Sequence, residues 1–233
     1  MAVSFSVSEW SGWRSGLPES YREDLVGLTV SEVPDVGAIP PILRRRLNML
    51  GRACASEVLK HIPADTDIPI VYCSQHGDIE RTLHVLESLV AKEAVSPVHF
   101  SLAVHNAICG VISIQAGNRA SVSALSAGQQ GLVPVLLEAI GMLVPGVNRV
   151  LCVICDVPLP EIYRDESSQP QVPYAVSFVV TSGDGIKLDL LQLAEGESMS
   201  NFRSPVDLIE FLGSDKSEFD LYHNGCMWRL ARQ

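Results

Sequence analysis

Positive charge is what this 233-residue sequence has least of: 17 Lys and Arg stand against 27 Asp and Glu, a formal net charge of −10. A phosphate backbone is held by rows of cations, so this balance and the lack of a basic stripe exclude nucleic acid as the expected partner. The only dense cationic cluster is Arg44-Arg45-Arg46. Long apolar runs are missing too. None approaches the roughly 20 residues that a membrane-crossing helix needs, so no span is expected. The opening Met1-Ala2-Val3-Ser4 has neither the basic nor the apolar region of a secretory leader. Six cysteines (Cys54, Cys73, Cys109, Cys152, Cys155, Cys226) lie in apolar settings without the spacing of a disulfide framework. Reduced thiols and a cytoplasmic location follow. Cys152-x-x-Cys155 falls inside an expected strand with no second pair to complete four ligands, so it reads as two buried thiols. No metal and no cofactor are expected.

Although charged residues make up only 19%, hydrophobic ones reach 47%, which excludes a disordered chain and suffices for a large core. The most informative stretch is Ser96–Pro160. Val98–Ile114 reads as an apolar helix interrupted by His105, Asn106 and Gly110. Ser121–Leu125 is a short strand, Ser126–Gly131 a turn, and Leu132–Leu143 an almost wholly apolar helix ended by Pro145-Gly146. Arg149–Val153 then starts a strand apolar on both faces, as in the middle of a covered sheet. A strand-elbow-helix unit is where α/β enzymes often mount a nucleophile, because the first-turn N–H groups favour a developing anion.

Upstream, Trp10 and Trp13 stand at a helical spacing of three and read as packing at a core edge. Ile42–His61 reads as one amphipathic helix with the arginine triplet at its start, the unfavourable end for cations. That placement suggests docking of a partner's carboxylates; the alternative is a solvated helix face with one arginine in an internal ion pair. Ile68–Cys73 is an apolar strand. Ser74-Gln75-His76-Gly77-Asp78 leads from it into a helix over Ile79–Ala94, with Gly77 for the tight turn and Asp78 as N-cap. His105 has no metal-ligand neighbour and reads as a hydrogen-bonded core residue. After Pro160 the texture changes. Glu161–Pro173 is a polar loop, and Tyr174–Thr181 and Ile186–Leu193 alternate around Ser182-Gly183-Asp184-Gly185 as a β-hairpin. Pro205–Leu212 is a short helix, and Phe219–Leu230 a hairpin turning at Asn224-Gly225 with Trp228 inward.

Several of these pieces together resemble the β-ketoacyl synthase (condensing enzyme) family, in particular its half-length, chain-length-factor-like members. The likeness is carried by Ser96-Pro97, Phe100-Ser101, Val104-His105-Asn106-Ala107, Gly110 and Ser113-Ile114, then Ala124, Ala127-Gly128 and Leu137-Glu138-Ala139. Pro40-Pro41 with Leu43-Arg44-Arg45-Arg46-Leu47, and Cys73-Ser74-Gln75-His76-Gly77-Asp78, extend it to roughly Val33–Pro160. The fold so implied is α/β: a thiolase-like N-terminal half, with a mixed five-stranded sheet and a buried central helix, covered by helices, plus a small β-rich C-terminal extension. Residues 1–160 would form the core, and 161–233 a completing strand, hairpin and extension of the same domain.

Active members of that family carry a cysteine at the N-terminus of the buried helix. Counted back without gaps from Ala139 and Gly146, that position is Gln129, with Gly128 and Gln130 as the alternatives if the count slips across Pro134. No cysteine lies between Cys109 and Cys152. A carboxamide cannot take an acyl group from a thioester, and the second half that supplies two catalytic histidines in the family is not seen, so condensation by this chain alone is not expected. The resemblance implies instead a non-catalytic subunit of a heterodimer, or a higher oligomer, with an active ketosynthase. An acyl carrier protein would be met through that ketosynthase, and Arg44, Arg45 and Arg46 would be a docking patch. His105, Asn106, Gly110 and Ser126 would support the elbow and the interface, with Asn106 pinning the elbow backbone. The alternatives are a homodimer that binds acyl carriers without chemistry, and a residual acyl-thioester or decarboxylase activity.

Overall fold

Two strands that are apolar on both faces form the centre of one sheet. In the computed structural model, which describes residues 2–16, 26–62, 67–128, 131–163, 172–191, 204–223 and 225–233, β5 (Arg149–Asp156) lies between β3 (Ile70–Cys73) and β6 (Tyr174–Leu191). Val150, Cys152 and Ile154 of β5 enter one core layer, while Leu151, Val153 and Cys155 enter the other. This is why its sequence is continuously apolar rather than alternating.

β4 (Val122–Leu125) pairs parallel to β3 at one end of the sheet, and β1 (Ala2–Arg14) pairs antiparallel to β6 on the other side. The strands β1-β6-β5-β3-β4 are thus a mixed five-stranded sheet. Short β2 (Leu28–Val30) extends it beyond β1, and the hairpin β7 (Glu218–His223) and β8 (Cys226–Arg232) joins β6. One face is covered by α6 (Leu132–Met142) and α7 (Pro205–Leu212), the other by α1 (Pro41–Arg44), α2 (Met49–His61) and α5 (Ala107–Ala116). α3 (Ile79–Val90) and α4 (Pro97–Leu102) pack on each other outside this layer, α4 also touching α5. Among the described residues no helix is long and apolar enough to cross a membrane.

Five expectations need correction. Trp10 and Trp13 lie on strand β1, not a helix. A spacing of three puts them on opposite faces, with Trp13 buried under α2 and Trp10 half-buried against the α6–α7 layer. Ile42–His61 is not one helix: Asn48 accepts the amide of Gly51 as the N-cap of α2. The arginine triplet therefore begins at the C-terminal end of α1, where cations are favoured. Val98–Ile114 is likewise split, and His105 and Asn106 sit in the turn between α4 and α5 rather than inside a helix.

Tyr174–Leu191 is one strand, not a hairpin; Leu193 lies outside the described residues. Residues Ser182–Gly185 bulge out opposite the Phe5/Ser6 step, and the amide of Gly185 donates to Ser6 Oγ at 3.1 Å. Partners β1 and β8 hold the strand straight against its local turn chemistry. Finally, five cysteines are buried but Cys226 is exposed beside the last turn. Asn224 lies outside the described residues; Trp228 is partly buried against the core.

Two polar devices tie the layers together. Glu57 of α2, fully buried, accepts from Ser11 Oγ of β1 and Ser177 Oγ of β6 and pairs with Lys60 at 2.6 Å. His61 lies between Ser11 Oγ (3.1 Å from Nε2) and Glu9 (3.3 Å from Nδ1), and Glu9 also pairs with Arg149. Asn118, beyond α5, splints the start of β3: Oδ1 accepts from Ile68 N at 3.1 Å and Nδ2 donates to Ile68 O at 2.8 Å. Asn118→Ala leaves both backbone groups buried without partners. We expect a loss of about 2–3 kcal/mol in denaturant unfolding.

Candidate functional site: an elbow held by a buried carboxyl

The parallel strands β3, β4 and β5 end side by side, with Cys73 opposite Leu125 and Ile154. Residues 126–128 leave β4 here, and Gly131 stands at the N-cap of α6. The base of this elbow joins Ser74 and Gln75, already marked in the sequence, to Asp156 and Tyr174, which the sequence did not single out. Asp156, the last residue of β5, is buried; its Oδ1 accepts from Ser74 Oγ and from Gln75 N, both at 2.8 Å, and its Oδ2 from Tyr174 OH at 3.2 Å. Burial pushes this carboxyl up to about 6, against the pull of those donors and of the His76 amide.

From Asp156 the support passes outward. Ser74 Oγ accepts from Gly77 N at 2.9 Å, closing the loop after β3 into a collar. Gln75 O accepts from Ser126 Oγ at 2.7 Å, and His105 Nε2 donates to Leu125 O at 2.9 Å. Gly77 has φ +61, and a Cβ there would lie 2.7 Å from His105 Nδ1, so only glycine lets the collar meet the histidine. Asp78 caps α3 as expected, accepting from Arg81 N at 3.1 Å.

The nearest thiol below the elbow belongs to Cys73. Its sulfur would lie 2.6 Å from a Cβ at Gly131, and burial pushes it up to about 12, with Asp156 and Cys155 adding to the rise. The Ala127 amide pulls the other way but does not win. A thiol held protonated beside a buried carboxyl is a poor nucleophile. Cys152 and Cys155 are buried on opposite faces of β5. Among the described residues no three His, Cys, Asp or Glu are grouped to hold a metal.

The predicted site residues are only partly brought together. Gln129 and Gln130 lie outside the described residues. Gly128 is exposed at φ +65 in open space, and Ser126 is exposed but bonded to the collar. His105, not Asn106, reaches the β4–elbow backbone; Asn106 is exposed at the N-cap of α5 without a side-chain cap bond. Gly110 is half-buried within α5 with open space where a Cβ would go. Arg44 is half-buried and donates to Ile39 O at 2.9 Å, whereas Arg45 and Arg46 are exposed. The readable cue for Asp156 was an acid ending a strand otherwise apolar on both faces.

Beside the elbow, the outer edge of β4 has no neighbouring strand among the described residues, and its four residues are half-buried. α5 packs on β4, and apolar side chains are exposed along the α4–α5 segment: Phe100 (62%) on α4, Val104 (50%) in the α4–α5 turn, and Ile114 (84%) on α5. α6 buries Leu132, Val133, Val135, Leu136 and Ala139 against the sheet and leaves Leu137 and Ile140 partly open.

A mixed five-stranded sheet covered by helices, with an elbow at the carboxyl ends of its parallel strands, defines one half of a thiolase-type fold. Residues 10–230 match the family described as "Beta-ketoacyl synthase, N-terminal domain", and the chain belongs to that family. Over 99% of its length, and all of the other chain, it is similar to a chain of "Ketosynthase (ApeO) in Complex with its Chain Length Factor (ApeC) from Xenorhabdus doucetiae", with a TM-score of 0.81 and 23% identity. A second likeness, to "The ishigamide ketosynthase/chain length factor", has a TM-score of 0.52 and 10% identity. It covers 65% of this chain and 51% of that one, so this chain spans about half of its length. At these identities the likeness is one of fold. No curated protein sequence matches.

Proposed function

We propose that this chain is a non-catalytic, chain-length-factor-like subunit that binds and stabilises an active ketosynthase in polyketide or fatty-acid-type biosynthesis of the aryl polyene kind. The observation that carries the reading is the open β4 edge, with α5 packed on β4 and apolar Phe100, Val104 and Ile114 exposed along the α4–α5 segment. An unpaired strand with apolar side chains around it is a liability unless another sheet covers it. The absence of condensing chemistry is supported by Cys73, whose thiol stays protonated, and by an elbow sequence without cysteine. Gln129 then occupies the nucleophile position, the carrier protein meets the complex through the ketosynthase, and Arg45 and Arg46 are available to acidic partners. We take the protein as cytoplasmic and as one domain, 1–160 completed by 161–233, which the central place of β6 in the sheet supports.

The test is co-expression with a full-length ketosynthase and its carrier protein, followed by pull-down and sedimentation. A stable heterodimer is expected. A ketosynthase that is equally soluble, active and faithful in chain length without this chain, and is not retained by it, overturns the proposal. Self-association alone would instead favour a homodimer through the same edge. Covalent labelling of the isolated chain by an acyl thioester would return it to the enzymes.

A further inference from the structure

We propose that His84 of α3 and His99 of α4 together bind a divalent transition-metal ion of the zinc, nickel or copper kind, which clips the two helices to each other. The inference concerns the isolated chain and does not require the partner reading. The two imidazoles meet where α3 packs on α4, with ring centroids 5.2 Å apart and planes inclined at 66°. His84 is exposed and His99 half-buried, so an ion from solvent reaches the pair. Neither ring has a hydrogen-bond partner among the described residues: Ser88 Oγ donates to the carbonyl of His84, and the amide of His99 to Ser96 Oγ. The rings of His61 and His105, by contrast, are both engaged by the protein. The nitrogens of the α3–α4 pair are thus left to a ligand or to water.

The separation of the rings is the one a shared ion demands. An ion about 2.0–2.1 Å from an imidazole nitrogen stands about 3.2 Å from the ring centre, and two such rings at a tetrahedral angle have centres about 5.2 Å apart. Charge favours the same occupant. Glu80 and Glu87 stand about one turn before and after His84 on α3, and the one cation on either helix, Arg81, is paired with Asp78. No third His, Cys, Asp or Glu joins the pair among the described residues, which leaves the remaining coordination positions to water. Imidazole suits zinc, nickel and copper, whereas magnesium and calcium prefer oxygen. His99 directly precedes exposed Phe100, so the ion also fixes the helix that carries this apolar side chain.

Calorimetric titration of the metal-free whole chain with Zn2+ or Ni2+ is the test. Saturable binding is expected, with no competition from Mg2+. His84→Gln and His99→Gln should each weaken it by at least about 10-fold. The double variant should be hardly weaker than either single one, because a chelate is already broken once one ring is gone. Hydrogen exchange should show α3 and α4 peptides better protected with the ion present, and unaffected by it in His84→Gln. Binding that is absent, that survives both single substitutions, or that disappears instead in Cys226→Ser overturns the proposal. If half-buried His99→Gln does not fold, exposed His84→Gln decides alone: undiminished binding in that variant overturns the proposal.

Discussion

Phe100→Asp combined with Ile114→Glu should abolish retention of a ketosynthase in co-expression pull-downs while leaving the isolated chain folded. Both side chains are mostly in solvent, at 62% and 84% exposure, so the chain's own stability should change by no more than about 0.5 kcal/mol per site. For a chain of this size that is a Tm shift of about 1–4 °C. Covered by a partner, each apolar side chain would contribute about 1.5–3 kcal/mol, and a carboxylate in its place would have to be desolvated as well. Together these terms weaken binding by at least about 100-fold, beyond what a pull-down retains. Undiminished retention would move the contact elsewhere, with the half-open flank of α6 at Leu137 and Ile140 the next surface to test.

The second large effect is expected at the start of α6. Gly131→Ala should cost about 2–4 kcal/mol, seen as a Tm lower by about 4–16 °C, for two separable reasons. Gly131 has φ +40, which costs a non-glycine residue about 1–2 kcal/mol. Its new Cβ would also lie 2.6 Å from the Cys73 sulfur and 3.7 Å from Ile154 Cγ2, in a packed layer with no room to give. A double-mutant cycle separates the two. Cys73→Ala removes the sulfur, so the double variant should be more stable than the sum of the single costs, retaining only the backbone part. Gly128→Ala is the internal comparison: at φ +65 with nothing within 4 Å, it should cost only that backbone part, about 1 kcal/mol. Strict additivity in the cycle would mean that the sulfur is not what keeps residue 131 a glycine.

The elements that were legible are those whose signal is local. The Asp78 cap, the turn at Gly77, helix α7 and strands β3 to β5 all follow from side chains within a few residues of one another. The misread elements are those in which distant partners outvote local preference. Ser182-Gly183-Asp184-Gly185 has the composition of a hairpin turn, but pairing to β1 on both sides of it keeps β6 running straight. Trp10 and Trp13 look helical by spacing, yet β1 lies against β6 along its whole length, and the ladder decides. The split of Val98–Ile114 and the exposed position of Cys226 could not be read from hydropathy, because both halves of the first and the neighbours of the second are apolar.

Composition and pattern by themselves determined an acidic, well-cored α/β chain whose elbow carries no thiol, because those properties belong to residue identity and order. Only the tertiary structure decided what holds that elbow. Asp156, Ser74, Tyr174 and His105 come from four separate stretches and meet where three parallel strands end. Burial by the whole sheet, which no local run of sequence encodes, is what turns an ordinary aspartate into a carboxyl near neutrality and an ordinary cysteine into an inert thiol.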